Sequence, residues 1–163
     1  MSDIVSSPLG PVAASNAGAG RLIDPRGHRF GAGVSVVILA VAFLADVPIL
    51  VTLVGIALAV SAIFGTQYSA LGKPWPYVRR TLGIGPPSEL ESEYPPRFAQ
   101  ALGTAGLGLA TLAFVLGVPL VGWLLAGAVA ALQLLLAVTG YCLGCKLYFL
   151  RWYAPSVFQR LAR

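Results

Sequence analysis

Cys142 and Cys145 are the chain's only cysteines, and they stand three residues apart in Tyr141-Cys142-Leu143-Gly144-Cys145-Lys146. On a helix that spacing puts both thiols on one face. The chemistry open to such a pair is thiol–disulfide exchange. A bond between positions i and i+3 is strained in a regular helix, Gly144 can relax it, and strained accessible disulfides are the labile ones. A CxxC beside a βαβ pattern would indicate a thioredoxin, but no such pattern is present. The setting also differs. Thioredoxin-type nucleophiles sit at a helix N-terminus. Here the pair is expected near the C-terminal end of an apolar helix, where the dipole disfavours a thiolate and Lys146 and Arg151 oppose it. Three readings stay open: a redox-active or sulfur-carrying dithiol, a metal site completed from elsewhere, and two small buried hydrophobes.

Other polar candidates are few. His28 is the only histidine, and beside Arg26 and Arg29 it reads as a solvated residue. Gln133 lies in the middle of an apolar run, on the face opposite Cys142, and reads as a helix–helix hydrogen-bond donor. No charged residue falls deep within an apolar run, which argues against an ion pump or a proton-coupled transporter. Gly83-Ile84-Gly85 is followed by two prolines and is no phosphate loop. No cofactor and no metal ion are expected.

The elements that must position the cysteines are membrane elements. Of 163 residues, 57% are hydrophobic and 10% charged. Soluble domains carry about 25% charged residues. The natural solvent is therefore a lipid bilayer. The formal charge of +5 forms no aromatic-interleaved basic stripe on a soluble element, so no nucleic-acid partner is expected.

Residues 1–22 are rich in Ser, Ala, Gly and Pro and read as disordered, without the basic start and apolar core of a signal peptide. Residues 23–153 read as an all-α domain of four transmembrane helices, at about 30–45, 48–66, 98–117 and 120–148. The loop 67–97 carries Lys73, Arg79 and Arg80 beside Trp75 and Tyr77, a headgroup-layer composition. Pro74 and Pro76 are expected to break any long helix before Tyr77, and 88–93 to be acidic and solvated. Small residues such as Ala99, Gly103, Gly106 and Ala110 allow close helix approach. Trp75, Trp123 and Trp152 read as interfacial anchors. Residues 154–163 form a basic tail.

The four spans read as two helical hairpins in parallel repeat. Arg29-Phe30 and Arg97-Phe98 open them, and Val47-Pro48 and Val118-Pro119 mark their turns. All eleven Lys and Arg residues lie in the N-terminal segment, the middle loop or the region from Lys146 onward. The positive-inside rule then places both termini in the cytoplasm of a multi-pass protein of the inner (plasma) membrane, with the cysteines at the cytoplasmic end of the fourth helix.

Several segments together resemble a bacterial membrane family catalogued as domain of unknown function 4395. They are Asp24-Pro25-Arg26-Gly27-His28-Arg29-Phe30, Gly85-Pro86-Pro87-Ser88-Glu89-Leu90-Glu91, Pro95-Pro96-Arg97-Phe98-Ala99-Gln100 and Tyr141-Cys142-Leu143-Gly144-Cys145. The resemblance covers about residues 23–148. It implies a setting of thiol or sulfur metabolism, because members neighbour thioredoxin-like and sulfurtransferase proteins in some genomes. It supplies no catalytic residues. The expected function is a membrane-anchored dithiol, with Cys142 and Cys145 as the reactive pair and a soluble thioredoxin-like or sulfurtransferase partner. The alternative is a non-catalytic scaffolding subunit within a homo- or hetero-oligomer. Whether the chain is an enzyme is left open by the sequence.

Overall fold

The computed structural model describes residues 22–85 and 90–147. The expectations for 1–21, for 86–89 and for the tail from 148 lie outside these residues. Almost everything described is helical, and local signals explain each boundary.

Helix α1 spans Pro25–Leu44. Asp24 caps it by accepting the Arg26 amide at 2.9 Å, and Pro25 occupies the first turn, where no amide hydrogen is needed. The start is earlier than expected because this polar segment is itself helical. The end is a Schellman turn: Val47 N donates to Ala42 O at 2.9 Å and Asp46 N to Phe43 O at 3.3 Å. That turn requires a left-handed residue, and Asp46 takes it with φ 52°. Helix α2, Pro48–Phe64, begins at once with its own proline.

The same device recurs later. Helix α4 spans Tyr94–Val115 and α5 Pro119–Thr139. Between them Val118 N donates to Ala113 O at 2.9 Å and Gly117 N to Phe114 O at 3.1 Å. The left-handed residue here is Gly117, φ 74°. Trp123 binds the two turns together, its ring 5.4 Å from Phe43 and 4.8 Å from Phe114.

Between α2 and α4 lie a 3₁₀ turn, Thr66–Tyr68, and a short helix α3, Trp75–Thr81. The two prolines mark the start of this short helix. Pro74 is its cap and Pro76 falls in its first turn, where proline is tolerated. Trp75 pins α3 to α1: its indole N–H donates to Asp24 at 3.1 Å, its ring lies 5.6 Å from Phe30, and Arg79 pairs with Asp24 at 3.6 Å. One departure from an all-α reading is a two-residue antiparallel bridge. β1 (Leu22–Ile23) pairs with β2 (Glu91–Ser92), tying the entry to α1 to the entry to α4.

Helices α1 and α5 pack together, as do α2 and α4, and α4 with α5. The shared core is Leu39, Val51, Val54, Leu58, Leu107 and Val129, with Ala42, Ala110 and Ala126 at the closest approaches. The expected small-residue contacts are present. A Cβ on Gly106 would come within 2.7 Å of Val129, and one on Gly103 within 3.1 Å of Leu58. The outward faces are apolar instead of polar: Leu44, Val115, Leu120 and Val138 are at least two-thirds exposed. Such faces are compatible with lipid contact. Helices α1, α4 and α5 are long and apolar enough to cross a membrane, and α2 is an apolar helix of 17 residues. These features suggest a membrane protein.

Candidate functional site

The fourth apolar run is not one helix to residue 148. Helix α5 ends at Thr139, where Gly140 takes the left-handed conformation (φ 74°) and donates to Leu136 O at 2.9 Å. Tyr141 N then donates to the Thr139 hydroxyl at 3.0 Å, and the chain turns into a new helical segment over 143–147. Cys142 therefore precedes a helical segment instead of ending one, contrary to the sequence expectation.

The two sulfurs are at disulfide-bonding distance, with their Cα atoms 5.1 Å apart. Cys145 N donates to Cys142 Sγ at 3.2 Å and Lys146 N to Cys142 O at 3.1 Å. Both cysteines are half-buried, and Tyr141, Leu143 and Leu147 around them are exposed. Lys146 Nζ stands 5.7 Å above the Tyr141 ring.

Two glycines fix this turn in place. Gly144 sits directly on the first turns of α4, where an added Cβ would lie 2.7 Å from Ala99 Cβ and 2.9 Å from its Cα. Gly140 lies beside the Arg29 guanidinium, where an added Cβ would come within 3.3 Å. Arg29 in turn donates to the last carbonyls of α5, Ala137 O at 3.3 Å and Val138 O at 3.1 Å. Thus α1, α4 and α5 all contribute to holding the cysteine turn.

The same end of the bundle holds a cavity of about 380 Å³. His28, Gln100 and Gln133 line it from α1, α4 and α5, with Lys73 from the connecting segment. His28 is not solvated as expected: its Nε2 is shielded and has no hydrogen-bond partner, and the same holds for Gln100 Oε1. Unpaired buried polar atoms are rare in folded proteins, so two facing one space mark it as hydrophilic. Gln133 lines this cavity and makes no hydrogen bond to another described residue, so the expected interhelical bond is not formed. The cysteines are not part of its lining. Among the described residues no three of His, Cys, Asp and Glu come close enough to hold a metal ion.

This cavity is not legible in the sequence because its walls come from elements spread along the whole described chain, from β1 to α5. One signal was available. Gln67, Gln100 and Gln133 are the polar residues that follow or interrupt three different apolar runs, and all line the same space.

No curated protein and no solved structure matches the chain. One family does, that described as domain of unknown function DUF4395, over residues 23–152. That match takes in every described helix and both cysteines, so the chain belongs to the DUF4395 family.

Proposed function

We propose that the chain is a four-span membrane protein, built as two parallel-repeat hairpins, whose Cys142–Cys145 pair cycles between disulfide and dithiol with a soluble thioredoxin-like or sulfurtransferase partner. The observation that carries this reading is the placement of both sulfurs at bonding distance in a half-exposed turn. The recurrence of one turn chemistry at Asp46 and Gly117 supports the repeat. The charge distribution supports cytoplasmic termini.

In the reducing direction a partner thiolate attacks one sulfur of the pair. The Cys142–Cys145 bond breaks, a mixed disulfide forms, and the other cysteine leaves as thiolate. The partner's second thiolate then displaces the bound cysteine. Two electrons pass from the partner dithiol to the pair, and the partner becomes the disulfide. In reverse, Cys142 is the attacking thiolate, because the Cys145 amide donates to its sulfur and favours negative charge there. Cys145 resolves. The test is trapping with a purified thioredoxin-like protein: Cys145→Ser should accumulate a mixed disulfide through Cys142, and Cys142→Ser should not. Equal trapping in both variants would sink the assignment.

A structural reading has one observation in its favour. Gly144 is packed so closely on Ala99 that the turn is seated on α4, and the disulfide fixes the shape of the seated turn. In that case the Cys142→Ser, Cys145→Ser double variant keeps full function in cells and loses only stability.

A further inference from the structure

A second concave surface also borders Trp75. It is a groove of about 790 Å³ along α1. Phe30, Val34 and Val37 line it over successive turns of α1, together with Ala137 of α5, Trp75 and Ile84. Val37 is 62% exposed, so the groove opens outward along a helix long enough to span a bilayer.

The head of the groove is charged. Arg26 and Arg29 both line it, three residues apart and so on one side of α1. Neither belongs to an ion pair among the described residues: Asp24, the nearest carboxylate in sequence, is paired with Arg79, and Glu93 with Arg97. Arg26 reaches only the Gly85 carbonyl, at 3.5 Å, and Arg29 uses one terminal nitrogen on the α5 carbonyls. Each guanidinium presents five donors, so most remain available. Two guanidiniums with no carboxylate partner among the described residues, beside an apolar groove and an interfacial tryptophan, are complementary to an amphiphile with an anionic head and a hydrocarbon tail.

We propose that this groove is a binding site for an anionic phospholipid, with the phosphate held by Arg26 and Arg29 and an acyl chain lying along Phe30, Val34 and Val37. It rests on the membrane-spanning reading and is independent of the cysteine chemistry. Because Arg29 also secures α5, the bound headgroup sits one residue contact away from the cysteine turn.

Trp75 offers a local readout. The full chain carrying Trp123→Phe and Trp152→Phe keeps Trp75 as its only tryptophan. It is reconstituted in bilayers of phosphatidylcholine with rising fractions of acyl-brominated phosphatidylglycerol or acyl-brominated phosphatidylcholine. Quenching of Trp75 should saturate at a lower fraction of the anionic lipid, and Arg26→Gln should reduce that preference about fivefold. Val34→Trp would confuse the signal, so Val34→Asn is used to spoil the tail channel. It should weaken quenching by both lipids while leaving the charge preference in place. Equal quenching by the two lipids in the parent chain, or an unchanged preference in Arg26→Gln, would overturn the proposal. If the chain fails to insert in bilayers at all, the membrane-spanning reading falls with it, and flotation of the liposomes reports that separately.

Discussion

Arg29 and Arg97 are related by exchange. Arg29 stands near the start of α1 and donates to the last carbonyls of α5, at Ala137 and Val138. Arg97 stands near the start of α4 and donates to the last carbonyls of α2, Ala62 at 3.0 Å and Ile63 at 2.7 Å. Each arginine thus opens one pair of helices and closes the other. A helix leaves its last four carbonyls without partners, and in an apolar setting no water takes their place. The exchange satisfies these carbonyls with a charge that also complements the helix dipole. It gathers the starts of α1 and α4 and the ends of α2 and α5 at one end of the bundle.

The consequence is a strong dependence on the fork of the side chain. Arg97→Lys supplies one point charge where Arg97 bridges two carbonyls from two nitrogens, so it should recover only part of the loss. Arg97→Gln should cost about 2 kcal/mol, within the range for hydrogen bonds to charged groups. Glu93→Gln removes only the 3.7 Å pair with Arg97 and should cost under about 1 kcal/mol. Unfolding in mixed micelles by a denaturing detergent measures the series. Equal losses for Arg97→Gln and Glu93→Gln would show that the ion pair, and not the carbonyl contacts, is what matters.

The two turns make the second prediction. Asp46 and Gly117 hold the same left-handed position in matching hydrogen-bond patterns, but only glycine does so without steric cost. Asp46→Gly should therefore raise stability, by roughly 0.5–1 kcal/mol. Gly117→Ala should lower it by about 1 kcal/mol. Thermal unfolding of both variants tests the pair, and a destabilised Asp46→Gly would mean that the carboxylate makes a contribution of its own at this turn.

These turns were legible in the sequence because their signal is local. Valine, then proline at the first position of the next helix, marks both. The Arg-Phe pairs near the starts of α1 and α4 were equally visible, though the exchange of partners by their arginines was not, since it depends on which helices pack. The end of α5 was hidden for a different reason. Gly140 lies inside an uninterrupted apolar run, and glycine is common within membrane helices, so hydropathy shows no break there. His28 was misread because the cavity that its shielded Nε2 borders is walled by Trp75 and the segment after α2, about 40 residues away in sequence. The two-residue bridge of β1 and β2 is too short to have a period.

The third prediction concerns Ser35 and Ser61. Both are fully buried, and neither hydroxyl has a partner among the described residues. Their small size serves close packing, and alanine would serve it as well. Ser35→Ala and Ser61→Ala should be neutral or stabilising by up to about 1 kcal/mol, since each removes an unpaired buried group. Thr52 and Thr111 provide the contrast, because their hydroxyls bond each other at 3.1 Å between α2 and α4. Thr52→Val should cost about 1 kcal/mol. The detergent-unfolding assay used for Arg97 distinguishes the two classes.

The last prediction tests whether the cysteine turn is positioned by α4. Gly144 meets Ala99 with no room for a Cβ, so Gly144→Ala must push the turn away from α4 or twist it. Either movement alters the separation of the two sulfurs, because Gly144 lies between them. The expected result is slower disulfide formation and faster reaction of the reduced thiols with a small maleimide. Ala99→Gly deletes the methyl group that comes within 2.7 Å but leaves the Cα at 2.9 Å. Combined with Gly144→Ala it should restore oxidation in part, and on its own it should change little. Such non-additivity is what two residues in direct contact produce. Rescue by Ala99→Gly would place the origin of the effect at the contact with α4; with no rescue, the 2.9 Å approach to the Ala99 Cα is by itself enough to displace the turn. Should oxidation in the Gly144→Ala variant match the parent chain, the turn tolerates displacement, and the close contact on α4 serves stability without shaping the reactivity of the sulfurs.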